Sequence, residues 1–192
     1  MHFKSPYNQG YQERPELQDE MEFHLILQYL CYFQMREVKA YAERLGVHLK
    51  GDLPILINPT SADVWSRQTE FDITYSVGAP PDDFTPDYQD WGLPLPRFQR
   101  MKNSGFTWWK ERLVFSESFY HLFRIDHAVG LFRLFAHHAD DPPNKGKFIP
   151  GDEEMMKQQG KELLEMLSES SSMIPIAEDL GTVPKFVRPI LL

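Results

Sequence analysis

Apolar positions along the chain set out a series of elements. Phe23, Ile26, Leu30 and Phe33, then Val38, Tyr41 and Leu45, recur at mostly three- and four-residue spacing. That spacing predicts one long amphipathic helix over about 20–45, buried along one face. Asp19 followed by Glu22 has the form of a capping box at its start, and Gly46 supplies the stop. Val47 to Ile57 reads as an extended apolar segment broken by Gly51-Asp52, with Pro54 barring a regular central ladder, so Asp52 falls at a strand end. From Pro59 to Pro96 the pattern dissolves into turn residues that carry Trp65, Phe84, Tyr88 and Trp91. An irregular stretch of that length is expected to be functional, and it reads as a substrate-facing loop excursion over 59–96. A helix over about 106–117, capped by Asn103 or Ser104, then leads into a buried strand over 119–126. A polar loop over 140–152 is followed by a helix over about 153–168, with Met156, Leu163, Leu164 and Leu167 inward, and by a short apolar strand from Met173 to Ala177.

Strands alternating with helices predict an α/β fold of parallel strands joined by helical crossovers. Residues 1–18 carry Pro6, Gly10 and Pro15 without a sustained period and read as a loop or a truncated edge. The 192 residues fall short of the ~250 typical of a complete eight-stranded barrel. A net charge of −8 and the lack of a long basic run exclude nucleic acid as an expected partner. No apolar run approaches the ~20 residues that span a bilayer, so no membrane association is expected. Cys31 is the only cysteine, which removes intramolecular disulfides and cysteine metal clusters and fits a reducing, cytoplasmic setting. The first ten residues lack the apolar core of a secretion signal. Aromatic residues make up 14% of the chain, as many as either a sugar-stacking platform or an aromatic core would need.

Chemistry concentrates on Phe123-Arg124-Ile125-Asp126-His127. In an extended strand Arg124 and Asp126 share a face, and the guanidinium is expected to lower the Asp126 pKa and keep it anionic, the state a carboxylate nucleophile needs. Alone, the triplet reads more readily as a structural ion pair than as catalytic. A second acid, Glu178, follows the Met173 to Ala177 strand, at the strand end where barrel enzymes place catalytic groups. If the two strands are adjacent and parallel, they lie ~4.8 Å apart, near the ~5–5.5 Å between carboxyls that retaining glycoside chemistry uses. Asp52 reads either as a holder of loop backbone or as a residue near the substrate. His121, His127, His137 and His138 with Asp140 and Asp141 invite a metal reading, but no His-Glu-x-x-His spacing exists and none is expected. Serine-nucleophile elbows and glycine-rich phosphate loops are absent, so no cofactor is expected.

Six motifs in register, Gly51-Asp52-Leu53-Pro54-Ile55, Ser61-Ala62-Asp63-Val64-Trp65, Gly78-Ala79-Pro80-Pro81-Asp82, Gln89-Asp90-Trp91-Gly92, Arg124-Ile125-Asp126-His127 and Ala177-Glu178-Asp179-Leu180-Gly181, resemble those of the amylomaltase family. These are the 4-α-glucanotransferases, or disproportionating enzymes, of maltodextrin, glycogen and starch metabolism. The resemblance, over about 23–192, implies that 19–192 form part of a (β/α)8 TIM barrel that transfers α-1,4-glucan segments by a retaining, covalent mechanism. It implies Asp126 as nucleophile, Glu178 as general acid/base and Arg124 as the cation that holds the nucleophile ionised. His127 and Trp91 match substrate-contacting positions and Asp52 the first sugar-enzyme motif, and the excursion is expected to present Trp91 or Phe84 to the substrate: maltooligosaccharides, glycogen or starch chains. It also implies a cytoplasmic enzyme, or a plastid one in a plant. Two departures fall in the excursion: a second acid, Asp83, where members often carry an aromatic, and Tyr88 where many have glycine. The family's third carboxylate lies in a later His-Asp motif, and no His-Asp dipeptide follows Glu178. A catalytically incomplete fragment is therefore expected, with a non-catalytic glucan-binding fragment or an α-glucan hydrolase as alternatives. No oligomeric state follows from these residues.

Overall fold

The computed structural model describes residues 17–82 and 85–191. It divides into two units, residues 1–49 and residues 50–192.

The described part of the first unit is dominated by α1 (Gln18–Arg44). The expected capping box does not form: the residue before the helix is Leu17, which offers no side-chain oxygen. Asp19 and Glu20 lie in the first turn instead, where their charge opposes the positive end of the helix dipole. Gly46, with φ 68°, ends the helix as expected. The expected buried face is not observed. Phe23, Phe33 and Tyr41 are about half exposed, and only Ala42 in α1 is buried. Leu25, Leu27 and Tyr29 interleave with the predicted stripe, so apolar residues surround the helix and no single face is defined. Cys31 is exposed on it.

The second unit contains, in order, β1 (Lys50–Pro54), α2 (Ala62–Ser66), β2 (Phe71–Ala79), β3 (Gln89–Pro96), α3 (Phe98–Asn103), α4 (Thr107–Glu117), β4 (Leu122–Asp126), β5 (Leu134–His138), β6 (Lys147–Ile149), α5 (Glu153–Glu169), β7 (Ile174–Ala177) and α6 (Val187–Leu191). Two sheets form. The first is parallel, in the order β1-β4-β7, with Asp52 opposite Arg124 and Arg124 opposite Ile176. The second is antiparallel, in the order β3-β2-β5-β6. Helix α4 precedes β4 and helix α5 precedes β7, so each return to the parallel sheet runs through a helix. Everything in the antiparallel sheet leaves from the C-terminal end of a parallel strand: β2 and β3 after β1, β5 and β6 after β4.

This second sheet corrects two expectations. The 59–96 stretch is not an irregular excursion, and 140–152 is not wholly loop, because β2, β3 and β6 fall in them. Phe71, Ile73, Tyr75 and Val77 alternate with Asp72, Thr74 and Ser76, a strand pattern that the surrounding glycines and prolines obscured. Gly78 marks no turn; a Cβ there would sit 1.8 Å from the Gln89 carbonyl oxygen, so it lets β2 and β3 approach. Pro94 and Pro96 lie on β3, an edge strand, where a missing N–H costs no ladder bond.

The core lies between the sheets and helices: Leu53, Phe71, Val77, Trp108, Trp109, Leu113, Phe123, Ile125, Phe132 and Leu163 are nearly inaccessible. Met156, Leu163 and Leu167 of α5 point inward as expected, with Leu164 packed at the margin. Asp152 caps α5 by accepting the Met155 N–H at 2.9 Å, an interaction worth about 1 kcal/mol. Neither Asn103 nor Ser104 caps α4; Phe106, at φ 56°, precedes it without a side-chain bond. Ser104 is engaged by Glu70, to which its hydroxyl donates at 2.9 Å.

Candidate active site

Strand alternation and strand pairing together place the charged side chains. Asp52 and Arg124 occupy one register row of the parallel sheet, Asp126 lies two residues further along β4, and Glu178 follows the last residue of β7. Arg124 joins all of them. Its Nη1 donates to the Asp52 carboxylate at 3.1 and 3.2 Å, and its Nη2 donates to Asp126 Oδ1 at 2.5 Å and to Glu178 Oε1 at 2.7 Å. Because the last two share one nitrogen, the two carboxylate oxygens lie no farther apart than the sum of those distances. The backbone N–H of His127 donates to the other Glu178 oxygen at 2.8 Å.

The Asp126 carboxyl departs from expectation. Asp126 is raised above the ordinary carboxylate value, first by burial and then by its hydrogen bond with Glu178, against which the Arg124 charge is insufficient. Burial also works to raise Glu178, but the Arg124 hydrogen bond and the His127 N–H outweigh it and hold Glu178 below its usual value. Of two adjacent carboxyls under one guanidinium, the one that accepts the extra N–H ionises more readily, so on acidification the first proton binds at Asp126. Arg124 itself is held more firmly protonated, chiefly by Glu178.

His127 follows β4 in the left-handed region, φ 56° and ψ 55°, which turns the chain sharply after the strand. Burial lowers its imidazole pKa, against the pull of Glu178, so the ring is neutral at pH 7. The Trp91 ring meets the His127 ring edge-on at 5.3 Å between centroids, and Trp91 Nε1–H donates to Gln89 Oε1 at 3.0 Å. Trp91 and Gly92 are the unpaired residues of a bulge, since Val77 pairs with Leu93 and Gly78 with Asp90. Gly92 at φ 66° supplies the left-handed residue there. A pocket of about 450 Å³ opens beside this pair, bordered by the antiparallel sheet and by the segments after β4 and β7, with Gln89, Trp91, His127, Arg133, Phe135 and Gly181 among its walls.

Of the expected site residues, Asp52, Arg124, Asp126 and Glu178 form one cluster, and His127 and Trp91 stand beside it. Phe84 lies outside the described residues. Gln89 and Arg133 were not singled out from sequence. Gln89 stood inside a quoted motif, whereas Arg133 carried no signal: a lone cation between Phe132 and Leu134. Among the described residues no group of acidic, histidine and cysteine side chains is placed to hold a metal.

Residues 3–192 match the family described as 4-alpha-glucanotransferase. The chain is 45% identical over 173 residues to the 4-alpha-glucanotransferase of Chlamydia pneumoniae, covering 90% of this chain and 32% of that one. It is 34% identical over 181 residues to the Thermus thermophilus 4-alpha-glucanotransferase, covering 91% and 35%. It thus spans about a third of the length of these curated relatives. Among solved structures, amylomaltase from Streptococcus agalactiae in complex with acarbose superposes with a TM-score of 0.78 at 30% identity, over 93% of this chain and 36% of that one. The mixed α/β arrangement resembles those amylomaltase structures.

Proposed function

The chain belongs to the 4-alpha-glucanotransferase family, and from that premise we propose that it carries the nucleophile and acid/base part of a retaining site acting on α-1,4-glucans. Asp126 is the nucleophile, Glu178 the general acid/base, and Arg124 the cation that lets the two carboxyls stand together. The carrying observation is that both carboxyls bind one guanidinium nitrogen at the ends of neighbouring parallel strands, a separation suited to direct attack rather than to an intervening water. Glu178 protonates the glycosidic oxygen as Asp126 attacks the anomeric carbon, giving a glycosyl-aspartate and a departing glucan. Glu178 then takes the proton of an acceptor hydroxyl, which attacks the same carbon and frees Asp126.

The first step needs Glu178 protonated and Asp126 ionised, the reverse of the order in which the resting site favours them. A glucosyl ring that draws Arg124 or the His127 N–H away from Glu178 removes what favours its anion, and the hydrogen bond between the two carboxyls is the route for a proton. Trp91 offers its apolar face to the sugar, and Asp52, His127 and Phe84 complete the substrate contacts. The parallel sheet belongs, in this reading, to a (β/α)8 barrel, and the protein is cytoplasmic. The outer edges of β1 and β7 carry no further strand among the described residues, and Ile174 and Ile176 on β7 are exposed. A three-stranded piece of a barrel gives little shelter to an oxocarbenium-like transition state, so the 192 residues alone are expected to bind glucan and turn it over poorly.

The test is a covalent one. Incubation with α-maltotriosyl fluoride, whose leaving group needs little proton assistance, is expected to label the chain slowly at Asp126, as read by mass spectrometry of its peptides. A label on another residue would overturn the assignment, and no label with intact glucan binding would favour a binding fragment.

A further inference from the structure

The segment that follows Glu178 has little of its own to hold it. Residues 179–182 belong to no strand or helix, Gly181 stands in the left-handed region at φ 85°, and Leu180, Gly181 and Thr182 are exposed. Among the described residues, two side chains from outside the segment hydrogen-bond to it. Arg188 Nε donates to the Asp179 carboxylate at 2.7 Å, and Arg133 Nη2 donates to the Thr182 carbonyl oxygen at 2.9 Å.

These tethers differ in kind. The Arg188–Asp179 pair is exposed on both sides, and a solvent-screened surface pair holds little. Arg133 is half-buried, with its guanidinium carbon 3.6 Å from the centre of the Phe148 ring on β6. Its Nε is shut away from water without a hydrogen-bond partner. Burial lowers its pKa with no carboxylate acting against it, yet an arginine so placed is still a cation at pH 7. Burying a cation with one donor unmet is costly, and a methionine in that place would cover Phe148 without the cost. Packing therefore does not account for the charge; the Thr182 carbonyl it reaches does. Arg133, Phe148, Leu180, Gly181 and Thr182 all line the pocket beside Trp91 and His127, so the arginine joins the antiparallel sheet to the segment after β7 across two walls of one cavity.

We propose that Arg133 is a positioning residue for Glu178: from its seat on Phe148 it clasps the Thr182 carbonyl, holds residues 179–182 against the antiparallel sheet, and so keeps the Glu178 carboxylate on Arg124 and the His127 N–H. The consequence for turnover rests on Glu178 being the acid/base proposed above; the clasp itself rests on geometry alone.

The experiment uses the 192-residue chain with carboxyl-labelled glutamate, Glu178 being assigned through Glu178→Gln. Arg133→Met keeps an unbranched side chain on Phe148 and removes the donor. Amide exchange at His127 and Val183 is expected to quicken about tenfold relative to Ala136 on β5, the worth of one hydrogen bond from a charged donor. The Glu178 carboxyl, which burial raises but the Arg124 and His127 bonds hold below its usual value, should titrate nearer that of an ordinary glutamate. A general loss of packing would be felt by β5 as well and would not single out these groups. Arg133→Lys, which keeps a charged donor, should restore part of the protection. Unchanged exchange or an unchanged Glu178 titration in Arg133→Met overturns the proposal, as does a lysine no better than methionine. Should Arg133→Met fail to fold, Phe148→Leu, which takes the ring from under the guanidinium, is expected to act in the same direction to a smaller extent, and no change there overturns the proposal equally. If α-maltotriosyl fluoride labels a residue other than Asp126, the catalytic reading of the site falls instead, while exchange and titration still decide the clasp.

Discussion

The two sheets of the second unit position side chains by different means. In the parallel sheet, Asp52, Arg124 and Asp126 reach one face through strand alternation, and Glu178 joins them because β7 pairs with β4. In the antiparallel sheet, Trp91 reaches the site through a break in alternation, a bulge held by Gly92 and by bonds to Asp90. Regular pairing suits groups that must stay within hydrogen-bond reach of one another, since each strand fixes its neighbour's register. A bulge re-aims one side chain without moving the sheet, which suits a group that meets a ligand. The proposed function thus assigns chemistry to the regular sheet and recognition to the irregular one.

That division can be broken from either side. The largest effect is expected from Asp126→Asn, which should slow labelling by α-maltotriosyl fluoride more than about a thousandfold while the chain still binds maltoheptaose. Parallel rate and binding measurements decide it, and equal losses in both would erase the distinction. Gly78→Ala attacks the antiparallel sheet: with the new Cβ 1.8 Å from the Gln89 carbonyl, β2 and β3 must separate. A loss of more than about 3 kcal/mol is expected in urea unfolding, the range of severe steric lesions. Trp91→Ala should weaken maltoheptaose binding about tenfold by titration calorimetry, the worth of one aromatic contact, yet leave the order in which Asp126 and Glu178 titrate unchanged by carboxyl carbon NMR.

The smallest expected effect concerns the resting cluster. Asp126, raised on folding, holds its proton more tightly folded than unfolded, so its ionisation costs stability at neutral pH and the cost is relieved as pH falls through its folded value. Glu178, lowered on folding, does the reverse: its contribution is present above the unfolded carboxylate value and lost as pH falls through the folded one. Asp126→Asn should therefore raise the melting temperature at neutral pH by about 2–4 °C, and the gain should shrink on acidification. A melting temperature lowered at neutral pH would mean that Arg124 stabilises the ionised pair more than burial and mutual repulsion oppose it.

The residues by themselves determined a good deal. Alternation alone put Arg124 and Asp126 on one face, and spacing of Met156, Leu163 and Leu167 defined the buried side of α5. The order of strands and helices implied parallel crossovers, which the β1-β4-β7 sheet contains. Such features depend on neighbours within a few positions, where backbone geometry turns sequence spacing directly into direction. Other features needed the folded chain. The buried stripe expected on α1 failed because its apolar residues run all round, and the strands inside 59–96 were hidden because edge prolines and a close-approach glycine resemble turn signals when the partner strand is not seen. The raised pKa of Asp126, where a lowered one was expected, has the same origin. From the Arg124–Asp126 spacing the guanidinium acts on Asp126 alone, whereas in the fold it is divided among three carboxylates and the His127 N–H favours Glu178. Electrostatic balance is a through-space property of groups up to 126 positions apart in the chain, as Asp52 and Glu178 are, and only tertiary structure brings such groups within the few ångströms over which a charge decides where a proton rests.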